Sequence, residues 1–294
     1  MSDRGAVAIT GANGYVGSAL SAAFAASGYR VVALQRSEPA IDGRQNYVPY
    51  SLEDGAAAPL PDSLSAVVHC AYDLRARDKA EIERINLGGV EKLVESVCGV
   101  PVVLISSMSA YSGTEQIYGQ TKLACEEIVA AHGGTSLRLG LVYGGTERGM
   151  IGALRKVVAL PVVPLLRPDS YQYTVHVDDM VQCVVATVEQ PPPHRVVGVA
   201  NPRRVPFSEI LHTLRAMATA KAFRGAPVPA ALLYRALRTA ESAGLRAGFR
   251  ADSLLGLMQP AAEVPNVSYW AERGIPLRDF TEDSVRYSSS RRDS

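Results

Sequence analysis

Tyr118 and Lys122 are the residues of this sequence whose types and spacing most directly suggest chemistry. They lie four apart in Tyr118-Gly119-Gln120-Thr121-Lys122, so on a helix they share one face. A free phenol titrates near pH 10, and a nearby ammonium ion lowers the pKa of a phenol by roughly 1–3 units. Such a pair can act as a general acid or base near neutral pH, although the spacing alone more often marks a solvent-exposed helix face.

A glycine-rich segment near the N-terminus predicts a nucleotide-binding turn. The apolar run from Ala6 to Thr10 is typical of a strand, and an alanine-rich helical stretch follows from Ser18 to Ser27. Between them stand Gly11, Gly14 and Gly17. In such a unit the first glycine allows a tight turn, the second lets the backbone approach a pyrophosphate, and the third lets helix and strand pack closely. The helix N-terminus attracts the phosphates.

A second apolar run, residues 102–105, leads directly into the serines at 106, 107 and 109. Ligands of parallel α/β sheets bind at the carboxyl ends of the strands, so Ser107 is a candidate for contact with a substrate. The alternative interpretation is that these serines cap the next helix.

Together the glycine turn, Ser107 and the Tyr118/Lys122 pair resemble the short-chain dehydrogenase/reductase superfamily, in its extended, nucleotide-sugar epimerase/dehydratase-like branch. The resemblance covers about the first 200 residues. Four further segments resemble the family less strongly and occur in the order expected for it: Val67-Val68-His69-Cys70-Ala71, Asn86, Leu137 to Gly144, and His176 to Met180. We interpret His69 and His176 as packed or capping residues at strand ends.

The resemblance implies hydride transfer at a carbonyl or alcohol carbon. Tyr118 would pass the proton to or from the substrate oxygen, Lys122 would tune that phenol and hold the cofactor ribose, and Ser107 would bind the same oxygen. No metal is expected. The predicted cofactor-binding residues are Gly11, Asn13, Gly14, Tyr15, Val16, Gly17, Arg36, Ala71, Asn86, Tyr118 and Lys122.

Four departures from the family pattern refine the prediction. Gln35 and Arg36 end the second strand, where an NAD enzyme usually carries an acid for the ribose 2′-hydroxyl. An arginine there pairs with a 2′-phosphate, so NADP is favoured and NAD is the alternative. Met108-Ser109 replaces the Asp-Glu of sugar 4,6-dehydratases, which argues against that elimination. Leu141 and a short segment between Tyr111 and Tyr118 weaken the likeness to sugar-nucleotide enzymes.

Alternating strand and helix patterns predict an α/β fold, a Rossmann-type doubly wound parallel sheet with a smaller C-terminal substrate domain. The predicted division is 1–145 plus about 173–200 for the dinucleotide-binding domain, about 146–172 plus 201–287 for the substrate lobe, and a disordered tail at 288–294. The net charge of +1 over 294 residues gives no argument for nucleic acid.

Cellular context is predicted from what surrounds these motifs. The first strand begins by about residue 6, which leaves no room for a signal peptide, and no apolar run has the ~20 residues of a membrane span. The four cysteines have no metal-ligand spacing and are expected to be reduced and buried. The resulting expectation is a cytoplasmic protein, with a homodimer as the candidate assembly.

Residues 201–250 carry nine basic residues against two acidic ones. A basic lobe suits an anionic substrate, because arginine pairs with phosphate through two parallel hydrogen bonds; Arg204, Arg235 and Arg238 are the candidates. A solvated helix face and a membrane-surface contact of residues 229–238 are the alternatives. The predicted activity is a ketoreductase or C4 epimerase acting on a sugar nucleotide. Reduction of a small non-sugar carbonyl compound and a non-catalytic NADP sensor remain open.

Overall fold

The computed structural model describes residues 4–38, 46–75, 78–145, 148–165, 170–218, 224–243 and 250–285. The predicted disordered tail at 288–294 lies outside these ranges, as do Lys221 and Arg246 of the basic lobe.

The secondary structure follows the alternation expected from the sequence. The strands are β1 (Ala6–Thr10), β2 (Arg30–Gln35), β3 (Asn46–Ser51), β4 (Gly55–Ala56), β5 (Leu64–His69), β6 (Val102–Ser107), β7 (Thr135–Leu139), β8 (Leu141–Tyr143), β9 (Val163–Leu165), β10 (Tyr171–Gln172), β11 (Thr174–His176), β12 (Val196–Val199), β13 (Val205–Pro206) and β14 (Gly225–Pro227). The helices are α1 (Tyr15–Ala26), α2 (Lys79–Ser96), α3 (Ile117–Ala131), α4 (Gly149–Val158), α5 (Val177–Glu189), α6 (Phe207–Ala218), α7 (Ala230–Ser242), α8 (Ala251–Met258) and α9 (Tyr269–Glu272).

The main sheet has the strand order β12-β7-β6-β5-β1-β2-β3-β4. Neighbouring strands are parallel except β3 and β4, which pair antiparallel at the edge. The chain winds outward from β1 in both directions, so a crevice opens between the carboxyl ends of β1 and β5, where ligands of such sheets bind. The predicted doubly wound α/β fold is confirmed.

Helices cover both faces of this sheet, which explains why its central strands are continuously apolar. One face buries Phe24 of α1 and Met180 of α5. The other buries Leu93 of α2 and Val129 of α3. Both α1 and α3 are thereby held with their N-termini at the carboxyl edge of the sheet, where the predicted cofactor turn and the predicted acid–base pair begin.

The smaller lobe is built from α4, α6, α7 and α8 with the short pairs β8/β11, β9/β14 and β10/β13. Its core contains Leu154 of α4, Leu211 of α6 and Phe280. The predicted smaller C-terminal domain is therefore present.

The segment 264–277 packs against the main sheet, although the sequence-based division assigned it to the substrate lobe. Trp270 is buried in the same cluster as Phe24 and Met180, and its indole Nε1 donates to the Gly198 carbonyl of β12 at 2.8 Å. The Gly198 amide in turn donates to the Pro265 carbonyl at 2.8 Å. A Cβ on Gly198 would lie 2.3 Å from Val264, so only glycine allows this close contact.

The structure bears on two expectations from the sequence, one about the cysteines and one about membrane spans. Cys125 and Cys183 are buried as predicted, whereas Cys98 is exposed, because it lies in the turn that follows α2. Within the described ranges, no helix combines the length and the apolar character that crossing a bilayer requires.

Candidate active site

A cavity of about 470 Å³ opens at the crevice between β1 and β5. Its walls include all three glycines of the N-terminal turn, Ser107 and Tyr118, together with residues of α7 and α8 from the lobe. The glycine turn predicted to bind the cofactor and the side chains of Ser107 and Tyr118 therefore face one common space. Five other residues predicted to bind the cofactor are not part of the described cavity wall: Asn13, Arg36, Ala71, Asn86 and Lys122.

The glycine turn has the geometry that a pyrophosphate site requires. Gly11 has φ +64°, in the left-handed region that favours glycine. A Cβ on Gly17 would lie 2.2 Å from the Gly11 carbonyl oxygen, so a side chain there would push α1 off the turn. Gly14 is the N-cap of α1 and has no side chain to satisfy the first amides. Those amides are directed at the ligand position, and the residues present fit a dinucleotide.

Tyr15 and Val16 line the cavity beside this turn, as predicted for cofactor-binding residues. The Tyr15 hydroxyl donates to the Gly144 carbonyl at the end of β8, and burial followed by the charge of Asp178 raises the pKa of Tyr15. Asn13 is exposed, and its backbone carbonyl accepts from Arg148 at 3.4 Å. Direct contact of Asn13 with a cofactor stays a prediction.

The structure brings Ser107, Tyr118 and Lys122 to neighbouring positions on β6 and α3. Ser107 ends β6, and its Oγ accepts from the Ser109 amide at 3.1 Å. Lys122 is 3% exposed; its Nζ donates to the Ile105 carbonyl of β6 at 2.8 Å and lies 5.9 Å from the centre of the Tyr118 ring. Lys122 therefore lies behind the tyrosine, and the described cavity wall does not include it.

Two contacts fix α3 against β6. A Cβ on Gly119 would lie 2.2 Å from the Ser109 carbonyl oxygen, so this glycine lets the helix press against the loop that follows Ser107. One turn beyond Lys122, the buried Glu126 accepts from Arg138 of β7 at 2.7 Å and from Ser106 of β6. A charged pair of this kind holds the helix in one register on the two strands.

Comparison with known proteins agrees with this arrangement. The sequence matches the NAD dependent epimerase/dehydratase family over residues 7–200. The chain belongs to this family. This family is of the extended short-chain dehydrogenase/reductase type, as the motifs predicted.

Individual relatives are more distant. The chain is similar to a ceramide reductase of Caulobacter vibrioides, 28% identical over 197 residues that make up 64% of this chain and 62% of that protein. A dTDP-6-deoxy-L-talose 4-dehydrogenase (NAD(P)(+)) of Kitasatospora kifunensis is 27% identical over 172 residues, 49% of this chain and 54% of that protein. The chain thus matches less than two thirds of the length of either. The solved structure of MoeE5 in complex with UDP-glucose and NAD is similar in fold, with a TM-score of 0.71, 22% identity and coverage of 99% of this chain and 100% of that one.

In this family member, Thr10 and His69 join the ends of β1 and β5 below the cavity. The Thr10 Oγ1 accepts from the Cys70 and Ala71 amides at 3.1 Å each and lies 2.9 Å from the His69 Nδ1. Burial, and to a lesser degree the charge of Lys122, lowers the pKa of His69 to about 3. The imidazole is therefore neutral, and its interpretation as a packed strand-end residue is confirmed.

His176 likewise has a structural role. It ends β11 and serves as the N-cap of α5, where its Nδ1 accepts from the Asp178 amide at 3.1 Å. The interpretation of this histidine as a capping residue is also confirmed.

Asn86 and Ala71 shape the cavity from the β5 side. The Asn86 Oδ1 accepts from the Asp73 amide at 2.8 Å, and its Nδ2 donates to the Ile82 carbonyl at 2.8 Å. This holds the loop whose residues Tyr72 to Leu74 line the cavity. A Cβ on Gly11 would lie 3.1 Å from the Cα of Ala71, so these two backbones are in close contact. Direct cofactor contacts of Asn86 and Ala71 stay predictions.

Tyr72 is a site residue that the sequence did not indicate. Its ring packs edge-on against Tyr118, with centroids 4.8 Å apart, and the Lys122 Nζ lies 5.1 Å from its centre. Burial raises the pKa of Tyr72, so its phenol stays protonated while it fixes the plane of the neighbouring ring.

Arg36 lies exposed immediately after β2. The preceding Gln35 is buried, and its Nε2 donates to the Ser37 carbonyl at 2.9 Å, so its amide shapes the strand's exit. Arg36 thus follows the end of β2, as the sequence predicted, and its contact with a 2′-phosphate stays a prediction.

The basic residues of the lobe are used in different ways. The described cavity wall includes Arg238 of α7 and Arg250 but neither Arg204 nor Arg235. Arg204 lies 4.8 Å from the centre of the Tyr171 ring and donates to the Ala262 carbonyl at 2.7 Å. Of the three candidates, only Arg238 is therefore placed at the site, and Arg250 was missed. Asp73, Glu241 and Asp252 line the same cavity, so its charge is mixed.

Proposed function

We propose that this protein is an NADP-dependent oxidoreductase that reduces a keto group or oxidises the corresponding hydroxyl group. The observation that supports this most directly is the common cavity. The glycine turn at the N-terminus of α1 and the side chains of Ser107 and Tyr118 open onto the same 470 Å³.

Each residue has a distinct task in this proposal. Gly11, Gly14 and Gly17 hold the pyrophosphate on the first amides of α1. The nicotinamide, when bound, supplies the hydride chemistry. Ser107 donates a hydrogen bond to the substrate oxygen, and Tyr118 passes a proton to or from that oxygen. Lys122 places a positive charge 5.9 Å from the centre of the Tyr118 ring and contacts the cofactor ribose.

For the substrate we propose a sugar nucleotide or a related anionic compound, acted on by ketoreduction or by redox-neutral C4 epimerisation. Arg238 and Arg250 in the cavity wall support it, because guanidinium groups bind phosphate strongly. The similarity to a dTDP-6-deoxy-L-talose 4-dehydrogenase and the fold shared with MoeE5, solved with UDP-glucose and NAD, point the same way.

A second candidate is reduction of a less polar carbonyl compound. Met108, Leu141, Met150 and Leu257 line the cavity, and the similarity to a ceramide reductase favours a substrate with an apolar part. The third candidate, a non-catalytic NADP sensor, is disfavoured because Ser107, Tyr118 and Lys122 are all present.

The test is NADPH oxidation measured with two matched panels. One contains nucleoside diphosphate 4-keto sugars, and the other contains ketones with acyl chains and no phosphate. Turnover confined to the first panel supports the sugar-nucleotide proposal, and turnover confined to the second replaces it. Interconversion of C4 epimers of a nucleoside diphosphate sugar is followed in parallel, because a redox-neutral epimerisation consumes no NADPH. Tight NADPH binding with neither NADPH oxidation in either panel nor epimer interconversion would support the sensor.

Cofactor preference is the first prediction. Arg36→Ala is expected to weaken NADPH binding about tenfold, because a charge-assisted hydrogen bond to phosphate is worth roughly 1.5–3 kcal/mol in a desolvated site and less at this exposed position. NADH binding should not change. Fluorescence titration of both cofactors measures the two dissociation constants, and the exposed Arg30 at the opposite end of β2 gives the control variant Arg30→Ala. Equal binding of NADH and NADPH by the wild type would show that Arg36 does not select the cofactor.

Arg238 gives the second prediction. If it binds a substrate phosphate, Arg238→Ala should raise KM for a nucleotide-linked substrate about tenfold, which corresponds to about 1.4 kcal/mol, and leave the NADPH dissociation constant unchanged. Such a contact stabilises the bound substrate and the transition state equally, so kcat should change little. Arg235→Ala is the matched control, because it lies on the same helix outside the described cavity wall. Equal KM values for the two variants would remove the phosphate assignment.

Three further features of this proposal come from the sequence: a cytoplasmic location, a homodimer, and the absence of nucleic acid and metal from the reaction. Size-exclusion chromatography with light scattering tests the dimer directly.

A further inference from the structure

The first turn of α3 is held by a residue of the lobe. The Asp252 Oδ1 accepts from the Ile117 amide at 2.8 Å, and its Oδ2 accepts from the Tyr118 amide at 3.2 Å. The N-cap of this helix, Gln116, makes no side-chain capping bond within the described part of the chain. One carboxylate, distant in sequence, thus satisfies the amides that a local cap normally serves.

The helix that carries Asp252 lies against the segment that leads into α3. A Cβ on Gly256, one turn later in α8, would lie 2.7 Å from the Gln116 amide. The Gln259 Nε2 donates to the Glu115 carboxylate at 2.9 Å, and the Tyr111 hydroxyl donates to the Gln259 carbonyl at 3.0 Å. The contact is therefore continuous along α8, and Asp252 is its charged end.

The chemistry of the contact is favourable because a carboxylate stands at the positive end of a helix. Glu241 of α7 caps α8 in a similar way, because its Oε1 accepts from the Ala251 amide at the start of α8. The cap on α3 thus rests on a helix that is itself capped by the lobe. The backbone amide fixed by Asp252 belongs to Tyr118, which lines the cavity.

We propose that Asp252 is a positioning residue for Tyr118, through which the substrate lobe sets the start of the helix that carries the proton-transfer group. This rests on the proposed function, since the position of Tyr118 matters to the rate only if its phenol transfers the proton. A displacement of about 1 Å in a reacting group costs up to about 10²-fold in rate. Loss of the carboxylate is therefore expected to lower kcat about tenfold or more while the glycine turn keeps binding NADPH.

The experiment compares Asp252→Ala, Asp252→Asn and Asp78→Ala. Asp78 is the matched control because it caps α2 in a similar way, with its Oδ1 accepting from the Glu81 amide at 2.8 Å. Three quantities are measured for each variant: amide hydrogen exchange over residues 115–123 and 78–84, the NADPH dissociation constant, and kcat on the carbonyl substrate found for the wild type.

We expect Asp252→Ala to speed exchange at the start of α3 and to lower kcat, with the NADPH dissociation constant within about threefold of wild type. Asp252→Asn, which keeps one acceptor oxygen, should recover part of kcat and supplies the result if the alanine variant does not fold. Asp78→Ala should speed exchange only at the start of α2 and keep kcat.

Two results overturn the proposal separately. Unchanged kcat in both Asp252 variants, beside an active wild type, would reduce Asp252 to a structural cap. Absence of both carbonyl reduction and C4 epimerisation in the wild type would overturn the proposed function, and the positioning role with it.

Discussion

The Tyr118→Phe variant is expected to lose about 10²- to 10⁴-fold in kcat while folding like the wild type. The change removes the hydroxyl group that transfers the proton, and positioned general acid–base groups contribute rates of this size. It keeps the ring, which packs against Tyr72 with centroids 4.8 Å apart. NADPH oxidation at saturating substrate measures kcat, and circular dichroism with a melting curve reports folding.

Tyr29→Phe is the matched control for this variant. Tyr29 precedes β2 at the amino edge of the sheet, opposite the cavity, so the same chemical change there should leave kcat unaltered. Activity retained in Tyr118→Phe would contradict the acid–base assignment. If the wild type and Tyr118→Phe both bind NADPH while neither turns over a substrate of either panel, the sensor becomes the better description.

Lys122→Met is expected to be at least as damaging to kcat, and it should also weaken NADPH binding. The variant removes the positive charge that lies 5.9 Å from the Tyr118 ring centre and, with it, the proposed ribose contact. Folding should be preserved, because methionine fills the volume of the lysine side chain and the lost hydrogen bond to the Ile105 carbonyl costs only roughly 1–3 kcal/mol. Kinetics, NADPH titration and the melting temperature measure the three effects.

The two tasks given to Lys122 can be separated by the outcome. A loss of kcat with unchanged NADPH affinity would support the role of Lys122 beside Tyr118 and would contradict the ribose contact. Weakened NADPH binding with unchanged kcat would do the reverse. A melting temperature far below that of the wild type would mean that the bond to the Ile105 carbonyl is needed for packing, and the kinetic result would then need a second variant, Lys122→Gln.

The parts of the site that the sequence predicted are local in the chain. Gly11, Gly14 and Gly17 belong to one strand–turn–helix unit, and Tyr118 and Lys122 stand one turn apart on one helix, so a few residues contain all the necessary geometry. The parallel sheet was predictable for a related reason, because apolar runs alternating with helical periodicity leave few other folds.

The parts that the sequence did not predict are contacts between distant segments. Tyr72 and Asp252 are ordinary in their own neighbourhoods, and they acquire a role only when the fold brings them to α3. The lobe's arginines illustrate the same limit. Composition located the charge in residues 201–250, but only side-chain direction decides that Arg238 lines the cavity and Arg204 packs on Tyr171.

Residues 264–277, which pack against β12, limit how this protein can be cut into separate modules and which of its edges can pair with another strand. The family match ends at residue 200, yet the indole of Trp270 and the amide of Asn266 bind the carbonyls of Gly198 and Val196 on the outermost strand. A chimera that transplanted residues 1–200 alone would leave that strand's hydrogen-bonding groups open to a foreign strand, with the risk of aggregation. The transferable module therefore includes residues 264–277, and in the intact chain this edge is not free to pair with a strand of a second molecule.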